Sequence, residues 1–487
     1  MYKLREFQSE AIELGRDSFR RGQKRIIFFL ATGAGKTVIA THMIANATKK
    51  GIKTLFLAHR RELIKQCSSK LAALGISHGI IMADEPLSPL ASVQVGSVQT
   101  VVRRCNIGDY GIIFLDECHH CRSESYHRIL DRFPNAAIVG LSATPYRLDG
   151  KGLGEIFQEI ISTRSVSQLT TDGFLVPCRV FAPSKIDMSG VKITGGDYNR
   201  AQMEQRCCSP KIYGDIVSDW LSRGRGRPTV LFAASVKQSQ DLVEKFRAAG
   251  IKAKHVDANT PTLERDATLQ ALGTGNLEIV SNVGILTEGW DCPPASCAIL
   301  ARPTASTCLH VQMIGRVLRP FENKTDALIL DHAGNHYRHG FITDAREVSL
   351  DGLKKRKKKD DAKKTTGVRI CPKCYLCMPS GTPICASCGH VFQVETRKMQ
   401  TVASELKELH PWQSGMLQDY DPNAKPEPKY SPKGEPAEWF SKKLQVARER
   451  GYSPRWAYHQ FQVAWGYWPN FAPQEIKKNP MKGRWSW

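Results

Sequence analysis

Leu30-Ala-Thr-Gly-Ala-Gly-Lys-Thr37 is the stretch that most constrains this chain. The apolar run Ile26 to Leu30 leads into it and the helical-looking Val38 to Ala47 leads out, so the segment reads as strand, tight turn and helix. Gly33 and Gly35 would let the backbone turn so that consecutive N–H groups and a helix N-terminus converge on phosphate oxygens. In such a loop Thr32, Gly33, Ala34 and Gly35 surround the phosphates, Lys36 reaches the β- and γ-phosphates and Thr37 ligates Mg²⁺. The full pattern G-x-x-x-x-G-K-[ST] opens on Gly, whereas this chain has Leu30 there. The match is therefore partial, and its meaning depends on the residues downstream of it.

Short β-rich runs at Ile26 to Leu30, Thr54 to Ala58, Val93 to Gly96, Ile112 to Leu115 and Ala137 to Leu141 alternate with helical segments. That rhythm predicts a parallel sheet covered on both faces, with ligands beyond the carboxyl ends of its strands. Ile112-Ile113-Phe114-Leu115 delivers Asp116-Glu117-Cys118-His119 at such an end. An Asp there can hold Mg²⁺, and the neighbouring Glu can orient or deprotonate an attacking water. Alone, such a pair reads equally well as a helix cap. With a phosphate loop 80 residues earlier, it reads as the other half of a nucleotide site.

Asp-Glu-x-His after such a strand, followed by Ser142-Ala143-Thr144-Pro145, resembles the superfamily 2 helicases and translocases. The resemblance implies ATP as the nucleotide and a nucleic acid as the track. By it, Gln8 and Arg5 in Leu4-Arg5-Glu6-Phe7-Gln8 would contact the adenine. His59 and Arg60 in Ala58 to Leu63, and Gly96, Ser97, Gln99 and Thr100 in the next motif, would hold the nucleic acid backbone. His119, Ser142 and Thr144 would couple nucleotide state to strand grip. Backbone contacts of this kind read no bases, so binding should be weakly sequence-specific and strongly salt-dependent.

From about residue 170 the α/β pattern restarts, with Gln168 to Phe174, the extended Val176 to Ala182, and no legible fold over 183–210. Strands at Thr229 to Ala233, His255 to Asp257 and Glu278 to Ser281 come next, with helices at Ser235 to Ala249 and around Arg265, where the family requires a motif arginine. Thr287-Glu288-Gly289-Trp290-Asp291 resembles the family's fifth motif, in which Thr287 would touch the strand and Gly289 and Asp291 the nucleotide. Gln312 to Arg319 resembles the sixth. Arg316 and Arg319 are expected on one helix face, directed across a cleft at the γ-phosphate, with Gln312 beside them. The expected fold is thus two RecA-like α/β lobes, at 1–165 and 166–350, closing on one ATP. Only 20 residues, Cys292 to Val311, separate Asp291 from Gln312, which leaves no room for a long wedge hairpin. Translocation or remodelling is better supported than strong unwinding.

The remainder divides at 351–368, 369–395, 396–436 and 437–487. The first, with its Lys-Lys-Arg-Lys-Lys-Lys run, is an exposed basic linker or a phosphate grip. Cys371-Pro-Lys-Cys374 and Cys385-Ala-Ser-Cys388, ten residues apart, have the spacing of two knuckles on one structural Zn²⁺. Cys377 and His390 are nearby alternatives. After a Pro-rich linker comes a Trp-rich, mainly helical region; seven of nine tryptophans lie from Trp412 onward. Aromatics at helical spacing read as core, with base stacking the alternative.

Lys plus Arg exceed Asp plus Glu by 69 to 47, a net charge of +22 that suits a polyanionic partner. Fifteen cysteines, many in apolar contexts, and a charged N-terminus fit a reducing cytoplasm, and no apolar run approaches a bilayer span. Lobes, basic linker and cysteine knuckle in this order resemble RadD-type DNA-repair ATPases. That likeness implies work in DNA repair, recombination or replication in a bacterial or phage-infected cell, near the nucleoid, on single-stranded or branched DNA, and contact with a single-strand-binding protein. Two other readings stay open: an ATP-switched nucleic-acid-binding or annealing protein without processive unwinding, and the motor of a restriction system. The sequence leaves RNA open as the track.

Overall fold

The computed structural model describes residues 4–392, apart from 84, 87, 89, 105–106, 145–148, 184–185, 209, 346–348 and 353–366, together with 435–449 and 454–465. Pro145, the basic run, Trp412 and Trp468 lie outside the described residues. Residues to Glu395 form one compact unit and Thr396–Trp487 a second.

The first unit holds two parallel sheets. Strands β1 (Arg25–Phe29), β2 (Thr54–Ala58), β3 (Gly79–Ile81), β4 (Val93–Ser97), β5 (Ile112–Asp116), β6 (Ala137–Ser142) and β7 (Glu159–Ile161) form the first, in the order β3-β4-β2-β5-β6-β1-β7. Every residue of β2 is buried, as a strand covered by helices on both faces must be. Register places the site: Phe29 pairs with Ser142 and Asp116 with Leu141. The phosphate loop after β1, the end of β5 and the end of β6 therefore open at one level of one sheet edge.

The second sheet uses β8 (Cys178–Phe181), β11 (Thr229–Phe232), β12 (Ala253–Val256), β13 (Ile279–Asn282), β14 (Cys297–Leu300) and β15 (Ala327–Asp331) in the order β12-β13-β11-β14-β15-β8. The illegible stretch folds as a two-residue hairpin, β9 (Ile193–Thr194) and β10 (Asp197–Tyr198), and a helix at Arg200–Cys207. The cysteine knuckle carries an antiparallel pair, β16 (Val368–Ile370) and β17 (Cys377–Pro379). It docks on the edge strand β8, where the Ala182 N–H donates to Tyr375 O at 3.0 Å. In the second unit, helices Pro436–Glu449 and Pro454–Trp465 bury Phe440, Ala457 and Phe461 between them. Trp439 and Trp456 pack, partly buried, against that core. No helix among the described residues is long and apolar enough to cross a membrane.

Candidate nucleotide site between two sheets

Gly35 caps the helix Lys36–Lys49 with φ of +87°, a left-handed conformation that an L side chain resists. A Cβ there would also meet Gln8 Nε2 at 2.5 Å. Gln8 Nε2 donates to Ala34 O at 2.9 Å, while its Oε1 accepts from the Arg5 N–H at 3.0 Å, so the buried loop residue Ala34 is held through its carbonyl. The Arg5 guanidinium lies 4.7 Å over the Phe174 ring.

A cavity of about 360 Å³ lies in front of this loop. From the first sheet it is lined by Arg5, Gln8, Thr32, Gly33, Gly35, Lys36, Thr37, Asp116 and Glu117. Gly289, Asp291, Arg316 and Arg319 face them from the second. Two polar linings were invisible in sequence, Gln66 and Lys70 of the helix Arg61–Ala73.

Lys36 Nζ stands 3.4 Å from Glu117 Oε1. Burial, then the adjacent Glu117 charge, pushes the Asp116 carboxyl up to about 7. Burial also works to raise Glu117, but Lys36 and then His119 outweigh it and leave that carboxyl below its ordinary value. Glu117 has a left-handed backbone, φ 47° and ψ 54°, uncommon for a residue with a side chain. Its Oε2 is buried without a hydrogen bond among the described residues.

Behind the cavity sit His119, Ser142, Thr144 and Gln312. The one hydroxyl proton of Ser142 goes to Thr144 O at 2.5 Å. His119 Nδ1 lies 3.3 Å from Ser142 Oγ, and its Nε2 faces the Glu288 carboxylate at 3.2 Å. Burial alone would lower the His119 imidazole, yet the hydrogen bond and charge of Glu288 leave it raised. Gln312 Nε2 donates to the same Glu288 at 3.2 Å, and Thr144 Oγ1 meets Cys308 Sγ across the sheets at 2.9 Å.

Arg316 and Arg319 do not share a helix face. The helix Thr307–Gly315 ends before them, with Arg316 as its C-cap. Pro320 disfavours helical geometry at Arg319. Gly315, where a Cβ would sit 2.5 Å from Thr32 Cβ, brings the two sheets into contact at that point. Arg316 is buried and donates through Nε to Thr287 O at 3.0 Å and through Nη1 to Trp290 O at 2.8 Å. Arg319 is ion-paired with Asp291.

The residues expected to hold nucleic acid are not gathered on one open surface. Arg60 donates across to Ile285 O and Gly284 O at 2.9 and 3.1 Å, and His59 to Glu288 at 2.8 Å. Thr287 is buried with its hydroxyl on Gly284 O. Gly96 is buried in β4, where a Cβ would meet Val101 Cγ2 at 2.7 Å, so packing rather than phosphate contact explains its glycine. Ser97, Gln99 and Thr100 do line an open groove, with Arg61, Arg103 and Arg104 beside them. Arg265 pairs with Glu62 across the sheets at 2.8 Å.

Cys371, Cys374, Cys385 and Cys388 converge, all four Sγ atoms within 4.8 Å of one another. Two pairs, Cys371 with Cys388 and Cys374 with Cys385, stand 3.5 Å apart, close to the edge of a tetrahedron with Zn–S bonds of about 2.3 Å. Cys377 lies outside this cluster, on β17 and buried. His390 contributes its carbonyl, which accepts from the Cys385 N–H at 2.8 Å.

Residues 1–147 match the family described as type III restriction enzyme, res subunit, and residues 213–320 the helicase conserved C-terminal domain. A 51.5 kDa protein of a Lactococcus phage (isolate 7-9) is 31% identical over 368 residues, 75% of this chain and 78% of that protein. The Saccharomyces cerevisiae protein named as ATP-dependent helicase IRC3 is 34% identical over 358 residues, 68% of this chain, and the chain spans 51% of its length. Among solved structures, a fragment of an HsdR subunit of a Vibrio vulnificus type I restriction enzyme shares the fold, with a TM-score of 0.56 at 21% identity over 73% of this chain and 68% of that one. Taken with the two matched domain families, identity at the level of the phage protein over such a span makes this chain a member of the superfamily 2 helicases and translocases, in which ATP hydrolysis is coupled to nucleic acid.

Proposed function

We propose that the chain is an ATP-driven translocase or remodeller of DNA, acting in repair, recombination or replication on single-stranded or branched sites. The observation that carries this reading is one cavity lined from one sheet by Lys36, Asp116 and Glu117 and from the other by Arg316 and Arg319. Lys36 and the backbone amides of the phosphate loop hold the β- and γ-phosphates; Gln8 and Arg5 hold the adenine, and Asp291 the ribose. Glu117 orients water. The water oxygen forms the new bond to γ-phosphorus, the bridging P–O bond breaks with its electron pair leaving on ADP, and the water proton passes to Glu117. Arg316 and Arg319 stabilise charge on the γ-phosphoryl oxygens. Thr37 and Asp116 would hold Mg²⁺, which supplies charge neutralisation at the phosphates. The fit is electrostatic: Asp116 is a buried carboxylate pushed up to about 7 by burial and by Glu117, an environment that a cation would reverse.

The four-cysteine cluster fits structural zinc, since four thiolates leave no open position. Metal analysis of the purified chain should find about one Zn per molecule, and a folded, metal-free protein would remove the assignment. Cysteines kept free of disulfides among the described residues fit a reducing cytoplasm, and a single-strand-binding protein is a partner suited to gapped DNA.

The groove of Arg61, Arg103 and Arg104 beside Ser97, Gln99 and Thr100 supports backbone binding. The logarithm of DNA affinity should therefore fall linearly with log salt, by a slope of about −0.7 to −0.9 for each phosphate contacted; a flat dependence would count against it. Between Asp291 and Gln312 stand only β14 and the start of one helix, which supports movement over strand wedging. The test compares ATPase stimulation by single-stranded, duplex and forked DNA and by RNA, beside a strand-displacement assay. Stimulation by single-stranded or forked DNA is expected; stimulation by RNA alone would overturn the DNA reading. A restriction-motor role is the second reading, favoured by the matched res-subunit family. Glu427-Pro-Lys429 fits the Glu-x-Lys fragment of nuclease centres but stands in a Pro-rich stretch without a preceding Pro-Asp on a predicted strand, and it lies outside the described residues; cleavage of duplex DNA with ATP would decide for the restriction reading.

A further inference from the structure

Glu288 stands inside the Thr287-to-Asp291 stretch but takes no role in that resemblance, and ATP hydrolysis as proposed for the cavity does not use it. It leaves the loop between β13 and β14 on the second sheet, 6% exposed. Three histidine rings of the first sheet's side converge on its carboxylate: His59 Nε2 at 2.8 Å, His119 Nε2 at 3.2 Å and His120 Nε2 at 3.2 Å. Among the described residues the His59 and His120 rings hydrogen-bond neither Ser142 nor Glu117, although His120 packs on the His119 ring with centroids 4.2 Å apart. His119 continues inward, its Nδ1 lying 3.3 Å from Ser142 Oγ and 3.4 Å from Glu117 Oε2.

We propose that Glu288 is a positioning residue for ATP hydrolysis, acting through His119 on Glu117, so that the catalytic carboxylate is held for the attacking water only while the second sheet is seated against the first. The inference rests on the assignment of Glu117 as the water-orienting group. Three features of the geometry carry it. Lys36 steadies Glu117 Oε1 at 3.4 Å, while Oε2, buried and without a hydrogen bond among the described residues, lies beside the His119 ring. That ring is fixed at both ends, by Glu288 on one nitrogen and Ser142 on the other. All three histidine contacts cross from one sheet to the other, so opening the cleft withdraws Glu288 from all of them. His119 is then left with Ser142, is free to turn, and no longer fixes the Oε2 side of Glu117. Seating of the sheets and arming of the carboxylate become one event, as a motor needs if it is not to hydrolyse ATP while open.

A simple clasp between the sheets would use all three histidines alike; a positioning path singles out His119. The experiment measures kcat and KM for ATP on the full chain with saturating single-stranded DNA, and the affinity for a fluorescent ATP analogue. The variants are Glu288→Gln, His119→Gln, their combination, His120→Gln and Glu117→Gln. Glu288→Gln and His119→Gln should each lower kcat by roughly 10²-fold, the lower range for a lost acid–base contribution, with KM and nucleotide affinity within about threefold of wild type. Because both act on one path, the double variant should fall no further than about threefold below the weaker single one. His120→Gln should stay within about threefold of wild type, since that ring meets His119 only by packing at 4.2 Å and holds neither of its nitrogens. Wild-type kcat in Glu288→Gln, multiplied losses in the double variant, or equal losses in His119→Gln and His120→Gln would each overturn the proposal. Should Glu288→Gln not fold, the comparison of His119→Gln with His120→Gln decides alone. Normal turnover in Glu117→Gln would instead remove the assignment on which the proposal stands.

Discussion

Replacing Arg316 with Lys should lower nucleic-acid-stimulated ATP turnover by roughly 10³-fold, the lower end of what a phosphate-directed arginine contributes in such reactions. Nucleotide affinity should change little. The expectation comes from how the guanidinium is held. Arg316 spends Nε and Nη1 on the carbonyls of Thr287 and Trp290, and those hydrogen bonds leave Nη2 unengaged among the described residues while the side chain lines the cavity. Burial, then the neighbouring Arg319, lowers it to about 10, still far above neutral pH, so the charge persists. A lysine keeps a cation but cannot serve two carbonyls and a phosphoryl oxygen together, because its donors radiate from one point. Alanine would be the poorer test, since it leaves two buried carbonyls unpaired and confuses stability with chemistry. Phosphate release at saturating ATP and single-stranded DNA, set beside titration with a fluorescent ATP analogue, separates the two terms. Wild-type turnover in Arg316→Lys would place the γ-phosphate elsewhere.

What was legible in the sequence was local. Gly33, Gly35, Lys36 and Thr37 are read from adjacency, because a backbone cradle for phosphate needs its glycines and its lysine within one turn. Asp116 and Glu117 are read from the apolar strand that ends on them. The four cysteines are read from spacing, but the choice between Cys377 and His390 was not, because it depends on the β-ladder: Cys377 pairs with Ile370, one residue before Cys371, and is buried outside the cluster. Helical periodicity put Arg316 and Arg319 on one face; a glycine at the close approach to Thr32 and a proline after Arg319 end the helix first. The hairpin at Ile193 to Tyr198 was illegible because two-residue strands carry no alternation. It is held instead by Asp197, which accepts from Arg302 Nη2 at 2.7 Å, Thr304 Oγ1 at 2.9 Å and the Ala305 N–H at 2.8 Å. Glu288 is the plainest case. Its histidine partners lie 168 to 229 residues away in the chain, and a carboxylate between Thr287 and Gly289 gives no local sign that it will be buried.

The Lys36→Ala variant should show no measurable stimulated turnover, a loss larger than that at Arg316 because one side chain serves two purposes. Lys36, proposed to meet the β- and γ-phosphates, opens the helix after the loop, and its ammonium lies 3.4 Å from Glu117 in a site where Asp116 is already pushed up to about 7. Of the charges that act on Asp116, Lys36 is the largest that favours its ionised form, and it is likewise the largest favourable one on Glu117. Its removal leaves two adjacent buried carboxylates facing each other without that cation. One of them will hold a proton, which weakens either the Mg²⁺ ligand or the group that orients water. Raising Mg²⁺ should therefore recover part of the nucleotide affinity of Lys36→Ala, while kcat stays below detection, because the cation can answer the carboxylates but cannot replace the missing grip on the γ-phosphate. Steady-state phosphate release across a Mg²⁺ series, with the same titration by a fluorescent ATP analogue, reads both effects. Turnover in Lys36→Ala equal to wild type at any Mg²⁺ concentration would mean that the cavity between the sheets is not where ATP is hydrolysed.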